Sequence, residues 1–276
     1  MDFKFPFHLD SGPGPAYLRV AAPPGFAAGF SLRPGGYSRG PFAAANMSFA
    51  VGDRPDRVAA NRVAIRARAS RDGLVFTDLV TVRQVHGNGC LVVDDDFQPP
   101  GPETESVEAD ALITARPGLL LGIQTADCLP LIMISEEPMA VAVVHAGWRG
   151  LARGVGDAAL RRLVEVFGVD PGKLKVYAGP AIGYCCFEVG PEVIENFCQK
   201  PYLAGVSGWY RNDGERDYLD LVAVQRAELL ALGVEKENFK AVEICTICHD
   251  FCFSYRRDRG ITGRQLAFAG IGWRKK

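Results

Sequence analysis

The chain has 276 residues, of which 48% are hydrophobic and 23% are charged, a composition typical of a globular protein with a large core. Its 31 basic and 32 acidic residues leave a formal net charge of −1, so it lacks the basic excess of proteins that bind nucleic acids or anionic membranes. We therefore expect small-molecule substrates, with no nucleic-acid partner and no membrane partner.

Short apolar runs rich in β-branched residues predict strands along most of the chain. They lie at residues 17–22, 79–85, 90–94, 111–114, 130–134, 140–144, 175–179 and 240–245. Helices are predicted over residues 55–69, 148–167, about 191–199 and 221–232. The second helix places on one face Leu151, Val155, Ala159, Leu163, Val164 and Phe167. This irregular mixture of strands and helices favours an α+β fold with mixed sheets.

Residues 94–110 read DDDFQPPGPETESVEAD and are polar, acidic and rich in proline, which predicts an exposed loop. Apolar runs continue on both sides of this loop at the same density. We therefore predict a single domain over residues 1–276, with the loop as an excursion from it.

The apolar stretch at residues 119–134 contains Asp127 and Pro130 and is too short to span a bilayer. The first ten residues, MDFKFPFHLD, lack the continuous apolar segment and the cleavage site of a signal peptide. We expect a cytoplasmic protein. Its eight cysteines would then be reduced and serve as core residues, ligands or catalysts rather than as disulfides.

Three residues stand where apolar runs end: His86, Cys128 and His145. Rigid scaffolds expose functional side chains at such positions. Three interpretations of Cys128 stay open, because it could be a small buried hydrophobe, a nucleophile with His145 as its base, or a metal ligand beside both histidines. Three protein ligands with an open fourth position are typical of a catalytic zinc site.

Residues 245–249 read CTICH, which matches the pattern of covalent haem attachment and half of a zinc ribbon. The haem interpretation requires export, for which no signal is visible. A ribbon requires a second C-x-x-C, whereas Cys185 and Cys186 are adjacent, and we expect adjacent cysteines to be unsuited to one tetrahedral metal. We therefore predict that these cysteines are core or site-lining residues.

Arginines beside glycine-rich turns predict a site for phosphate or carboxylate, because the guanidinium group binds these anions in a planar, bidentate manner. For Arg259 we prefer a solvated position. The arginines in these segments are Arg149, Arg256, Arg257, Arg259 and Arg264.

Seven motifs occur in the order in which one known family carries them. They are FSLRPGGYSRGP, RQVHG, ADALIT, TADCLPL, VAVVHAGWRG, GPAIGYCCFEVG and FSYRRDRGITGRQLAFAGI. Over about residues 26–271 the chain thereby resembles the family once called multicopper polyphenol oxidases or laccase-domain proteins. That family is now associated with zinc-dependent purine nucleoside phosphorylase activity, and it includes the bacterial peptidoglycan editing factor.

The resemblance implies one domain of mixed β-sheets packed face to face with helices outside. It also implies a zinc ion held by His86, Cys128 and His145. The implied reaction is phosphorolysis of adenosine or inosine to the base and ribose 1-phosphate, with adenosine deaminase and methylthioadenosine phosphorylase as further activities. In deamination a metal-activated water would attack the purine, and Asp127 is our candidate for the proton carrier.

We predict that the substrates are bound by Asn46, Gln84, Arg149, Arg256 and Arg257. The chain departs from the family pattern at two places near the expected pocket. CTICHD stands where the family has CTYC followed by Asp-Pro, and AAANMS, which includes Asn46, replaces a turn resembling SLNLG. The metal ligands are unaffected by these changes.

Other functions compete with this one. A hydrolase that uses Cys128 as nucleophile and His145 as base would leave His86 without a role. A protein that edits cell-wall precursors, or a non-catalytic partner of cell-wall synthesis, is a second rival. A copper-dependent phenol oxidase ranks last, because true multicopper centres need more histidines than the four in this chain.

Overall fold

The computed structural model describes residues 6–98 and 107–274. The strands in this part are β1 Phe7–Asp10, β2 Tyr17–Val20, β3 Phe26–Ser31, β4 Leu74–Val75, β5 Asp78–Val80, β6 Cys90–Val92, β7 Ala111–Thr114, β8 Leu119–Thr125, β9 Leu129–Glu136, β10 Met139–Ala146, β11 Lys175–Ala178, β12 Glu188–Val189, β13 Tyr210–Asn212, β14 Asp217–Leu219, β15 Phe239–Ala241, β16 Gln265–Ile271 and β17 Trp273–Arg274. The α-helices are α1 Pro55–Ala69, α2 Trp148–Ala152, α3 Val155–Phe167, α4 Pro191–Cys198 and α5 Leu221–Ala231. Short 3-10 helices lie at Gly40–Phe42, Phe49–Val51, Pro171–Lys173, Pro201–Leu203 and Lys236–Asn238.

Two large mixed sheets form the framework. The first has the strand order β1-β2-β3-β16-β8-β5 and the second has the order β15-β11-β9-β10-β7-β6. Most neighbours are antiparallel, but β5 pairs with β8, β6 with β7 and β11 with β15 in parallel. The predicted α+β fold with mixed sheets is confirmed.

The two sheets pack face to face, as the alternation of side chains along the central strands shows. On β9, Ile132 and Ile134 join the core between the sheets, whereas Leu131 and Met133 belong to the core under α3 and α5. Successive side chains of a strand point to opposite faces, so one apolar run supplies two cores. On the outer face of the first sheet, Leu120 of β8 lies in a third core with Ile65 of α1. Helices thus cover both outer faces.

The helix predictions hold with one correction. Helix α1 has the predicted bounds, with Pro55 in its first turn, where a missing N–H costs little. The helix predicted over residues 148–167 is interrupted at Gly154, whose φ of 74° lies in the left-handed region that ends α2. Val164, which was predicted on the buried face, is 39% exposed, because it lies about 100° around α3 from the buried Leu163. No helix within residues 6–98 and 107–274 is long and apolar enough to cross a bilayer.

The strand predictions were incomplete. Each predicted apolar run contains at least part of a strand. In the run at residues 240–245 the strand ends early, at Ala241. Strands β8 and β16 were not predicted, yet they are neighbours at the centre of the first sheet. Of the loop predicted over residues 94–110, residues 99–106 lie outside the described residues. Its last residue, Asp110, is fully buried, which contradicts an exposed loop at that end.

Candidate metal centre

Three chain segments bring His86, Cys128 and His145 together. His86 lies in the loop after β5, Cys128 in the turn through which the chain passes from β8 of one sheet to β9 of the other, and His145 near the end of β10. One ligand atom from each of the three lies within 4.8 Å of the other two. Cys128 Sγ and His86 Nε2 are 3.8 Å apart, and the imidazole rings meet edge to face at 4.7 Å. We call this group the His–Cys–His cluster.

The backbone around the cluster is held in rarely used conformations. His86 has a φ of 57° and Asp127 a φ of 91°, although neither is glycine. Such residues cost of order 1–3 kcal/mol and concentrate at functional sites. A Cβ added at Gly147 would lie 2.9 Å from Cys128 Sγ and 3.0 Å from His86 Cδ2, so a glycine is required there. The local sequence thus makes room for the cluster.

A buried carboxylate, Asp110, holds the ring of His145 and the backbone at His86. The Nδ1–H of His145 donates to it at 2.8 Å, and the backbone N–H groups of His86 and Gly87 donate to it at 3.0 and 2.6 Å. The His145 ring therefore turns its Nε2 away from Asp110, and histidine ligands of metals are commonly held by a carboxylate in this way. We assigned no role to Asp110 from the sequence. The available signal was an acidic residue directly before the buried strand β7.

Electrostatics in the cluster favour the thiolate. Burial would raise the pKa of Cys128, but the charge and the hydrogen bonds of His145 and His86 outweigh it and lower the pKa to about 6. For His145, burial would lower the pKa, but the Cys128 thiolate and Asp110 together raise it to about 9. The thiolate is the form of cysteine that binds metals and attacks electrophiles. A thiolate with two imidazoles is a donor set that suits transition metals.

The cluster opens into a cavity of about 550 Å³. Three of the predicted substrate-binding residues line it: Gln84, Arg149 and Arg256. Gln84 is fixed by its amide, which donates to Gln124 O at 2.8 Å and accepts from Gln124 N–H at 2.7 Å. Arg149 is exposed, and its guanidinium lies 4.4 Å from the centre of the Trp148 ring and makes no hydrogen bond or ion pair with side chains or backbone in the described part of the chain.

The predicted proton carrier, Asp127, also lines the cavity. Its carboxylate oxygens accept hydrogen bonds from Thr246 Oγ1 at 2.5 Å and from the Arg256 backbone N–H at 2.7 Å. These bonds hold Asp127 beside Cys128. Its role as a proton carrier stays a prediction.

The other two predicted substrate-binding residues, Asn46 and Arg257, do not line the cavity. Asn46 is fully buried, and its amide oxygen accepts from the backbone N–H groups of Ser48 and Arg264, both at 3.0 Å. Ser48 and Arg264 do line the cavity. Asn46 was predicted to bind substrate, but its side chain instead holds the backbone of two residues that line the cavity.

The guanidinium group of Arg257 is occupied by contacts inside the fold. It donates to three backbone oxygens, those of Thr246 at 2.8 Å, His249 at 3.1 Å and Cys252 at 2.7 Å, and it pairs with Asp258. It therefore holds the loop that also carries Thr246. No donor of this group is directed into the cavity.

One expectation about the remaining cysteines is wrong. The side chains of Cys185, Cys186, Cys245 and Cys248 offer ligand atoms that all lie within 4.8 Å of one another. Cys185 and Cys186 lie in a turn rather than in a strand, so adjacent side chains are not forced to opposite sides. Adjacency therefore does not prevent them from sharing one site. We call this group the four-cysteine cluster.

The chain is similar to known proteins over most of its length. Residues 27–272 match the family model described as multi-copper polyphenol oxidoreductase laccase. The chain is 36% identical over 262 residues to purine nucleoside phosphorylase YlmD of Geobacillus stearothermophilus. This alignment covers 92% of this chain and 94% of the relative. It is 32% identical to adenosine deaminase RL5 of an unknown prokaryotic organism, over 84% of this chain and 88% of the relative.

A solved structure has the same fold. The crystal structure of Bacillus licheniformis hypothetical protein YfiH superposes with a TM-score of 0.89 at 31% sequence identity. The superposition covers 97% of this chain and 100% of that one. Nearly the whole fold is therefore shared with the Bacillus licheniformis protein.

Proposed function

The chain belongs to the multi-copper polyphenol oxidoreductase laccase family, and from that premise we propose that it is a zinc-dependent purine nucleoside phosphorylase. Its substrates would be adenosine or inosine with inorganic phosphate, and its products the free base and ribose 1-phosphate. The observation that carries this proposal is the His–Cys–His cluster at a cavity of about 550 Å³. Cavities of roughly 300–1,000 Å³ are typical of small-molecule sites.

The donor set and its spacing fit zinc. Zinc bonds of about 2.3 Å to sulfur and 2.0–2.1 Å to nitrogen place tetrahedral sulfur and nitrogen ligands about 3.6 Å apart. The distance between Cys128 Sγ and His86 Nε2 is 3.8 Å. His145 would be the third ligand, and all three residues line the cavity, so a bound ion would be accessible from it. Bound zinc would supply a Lewis acid at this point.

The residues around the cavity suit the charges of phosphorolysis. Cleavage of the N-glycosidic bond develops positive charge on the ribose and negative charge on the departing base. We assign Arg149 to the phosphate, because its guanidinium is exposed at the cavity and, apart from its contact with the Trp148 ring, makes no hydrogen bond or ion pair with the described residues. Trp148 and Phe187 offer aromatic surface to the purine. Gln84 and Arg256 remain candidates for polar contacts to the nucleoside.

Asn46 and Arg257 would act by positioning. Asn46 holds the backbone of Ser48 and Arg264 by hydrogen bonds. Arg257 holds the loop that contains Thr246, and the Thr246 side chain in turn donates to Asp127. Substitution of either residue would then change the shape of the cavity rather than remove a substrate contact.

A second activity, adenosine deamination, is favoured by the relative named adenosine deaminase RL5. A carboxylate is available for its proton transfers, because Asp127 precedes Cys128 and lines the cavity. The editing of cell-wall precursors, by contrast, draws on no feature of the described residues.

The lowered pKa of Cys128 is also what a cysteine hydrolase would need. That rival gives His86 no role, although Asp110 holds the backbone N–H of His86 as well as the ring of His145. We place phosphorolysis first for this reason. We also propose a cytoplasmic location, where the thiols of the two clusters would stay reduced.

Product analysis with and without phosphate tests the proposal. The purified protein is incubated with adenosine or inosine, and bases and sugars are identified by mass spectrometry, alongside elemental analysis of the same preparation. We expect base and ribose 1-phosphate only when phosphate is present, and zinc in the protein. Release of free ribose at the same rate in phosphate-free buffer would identify a hydrolase instead. Inosine formed from adenosine would reveal the deaminase activity.

A further inference from the structure

The four-cysteine cluster joins two loops that are 60 residues apart in the sequence. Cys185 and Cys186 belong to the turn after β11, and Cys245 and Cys248 to the segment after β15. The Sγ of Cys248 is 3.5 Å from that of Cys186 and 3.8 Å from that of Cys185. None of the four residues lines the cavity of the His–Cys–His cluster. This is a separate convergence of thiols.

The two distances from Cys248 Sγ, 3.5 and 3.8 Å, match tetrahedral coordination, and the ligand atoms of all four cysteines lie within 4.8 Å of one another. Four sulfurs bound to one zinc ion at about 2.3 Å lie about 3.8 Å from each other. We propose that Cys185, Cys186, Cys245 and Cys248 bind a structural zinc ion as a closed site with four thiolate ligands. All four positions of the ion would be filled by the protein, as in structural zinc sites, and none would remain for a substrate.

The surroundings of Cys245 suit a thiolate ligand. The backbone N–H of Gly183 donates to Cys245 Sγ at 3.3 Å, so the donor comes from the opposite loop. Hydrogen bonds to sulfur hold metal-bound thiolates in place in many sites. The neighbouring His249 is not a member of the cluster, and its Nδ1–H donates to Cys245 O at 2.9 Å.

A disulfide would account for these contacts less well. A disulfide has a sulfur–sulfur distance of about 2.05 Å and uses only two cysteines. It would leave the other two thiols of the cluster unexplained, whereas one zinc ion uses all four. We therefore favour the metal, and the disulfide becomes an outcome of the test.

A zinc ion at this position would also stabilise part of the cavity wall, namely the two loops that hold Asp127. The two loops already meet through hydrogen bonds from Ala181 N–H to Ile244 O at 3.2 Å and from Thr246 N–H to Ala181 O at 3.0 Å. They also hold Asp127, because Thr246 Oγ1 donates to its carboxylate and Ile182 N–H donates to its backbone oxygen at 2.8 Å. A zinc ion between the loops would fasten this support for the residue next to Cys128.

Counting zinc by site tests the inference. We expect about two zinc ions per wild-type chain by elemental analysis, and one in the double variant Cys245→Ser/Cys248→Ser. The loss of this ion should lower the thermal midpoint by about 5–10 °C, because the metal binds the folded chain and so stabilises it. The matched control is Cys198→Ser, an exposed cysteine outside the cluster, which should keep both ions. Unchanged zinc in the double variant would overturn the inference.

A second measurement covers the case in which the cysteine variant does not fold. X-ray absorption at the zinc edge is recorded on His86→Ala/His145→Ala, which keeps the four-cysteine cluster intact. We expect one zinc with four sulfur ligands at about 2.3 Å. No zinc in this variant, iron in its place, or a cross-linked peptide joining two of the four cysteines would overturn the inference. Two zinc ions in a wild-type protein that does not cleave nucleosides would refute the proposed function and leave this inference standing.

Discussion

The two clusters whose side chains could hold a metal ion differ in what surrounds them. The His–Cys–His cluster offers three ligand atoms, borders a cavity of about 550 Å³ and is backed by the buried Asp110. The four-cysteine cluster offers four ligand atoms, lines no part of that cavity and joins two loops. A metal site with an open position can act on a substrate, whereas a closed site can only hold the chain together. Removal of the first should therefore affect reactivity, and removal of the second should affect stability.

The largest effect is expected from His145→Ala. This variant should lose the zinc of the His–Cys–His cluster and about 1,000-fold or more in kcat/KM for nucleoside cleavage, because charge stabilisation at the reacting bond is lost. It should retain the other zinc and fold normally by circular dichroism. Loss of both ions would mean that the clusters are not independent, and full activity would mean that the site lies elsewhere.

An intermediate effect is expected from Asp110→Asn. The amide would turn an N–H group toward donors that now meet a carboxylate, namely His145 Nδ1–H or the backbone N–H of Gly87. Loss of such a carboxylate behind a histidine ligand lowers metal affinity about 10–100-fold. Competition with a coloured chelator measures this affinity. Asp78→Asn, an exposed aspartate on β5, is the control. Equal metal affinity in both variants would show that Asp110 does not orient a metal ligand.

The smallest effect is expected from Arg149→Ala. Removal of one charged hydrogen-bond donor should raise the KM for phosphate about 10-fold, whereas the KM for the nucleoside should change little. Steady-state kinetics with each substrate varied in turn separates the two. Arg161→Ala, on the exposed face of α3, is the matched control. A raised KM for the nucleoside with an unchanged KM for phosphate would show that Arg149 contacts the nucleoside and not the phosphate.

The sequence predicted where helices and strands occur better than it predicted where they are interrupted. Helix α1 could be predicted because its start and its length depend on neighbouring residues. The break at Gly154 was missed because a glycine in a helical pattern is often tolerated. Strand β8 was missed because its apolar run continues through Asp127 into the next strand, and composition alone does not divide such a run.

The residues of the His–Cys–His cluster could be predicted from the sequence, whereas the residues that hold them in place could not. His86, Cys128 and His145 could be named from their positions at strand ends and from the family resemblance. Asp110, in contrast, acts on residues 24 and 35 positions away, so its role depends on the packing of β7 beside β10. The four-cysteine cluster was missed for the same reason, because its two pairs meet only after the loops have folded against each other.

The central claim is that Cys128 is a zinc ligand and not a nucleophile, and alkylation resolved by peptide tests it most directly. Iodoacetamide is added before and after chelation, the peptide containing TADCLPL is analysed by mass spectrometry, and nucleoside cleavage is assayed in parallel. A zinc-bound thiolate is protected by the metal, so we expect slow labelling of Cys128 in the metal-bound protein, fast labelling after chelation, and loss of activity on chelation before any labelling. Added zinc should restore activity to unlabelled protein. If the chelated protein stays active and loses activity in step with alkylation of Cys128, the account is contradicted and a cysteine hydrolase takes its place.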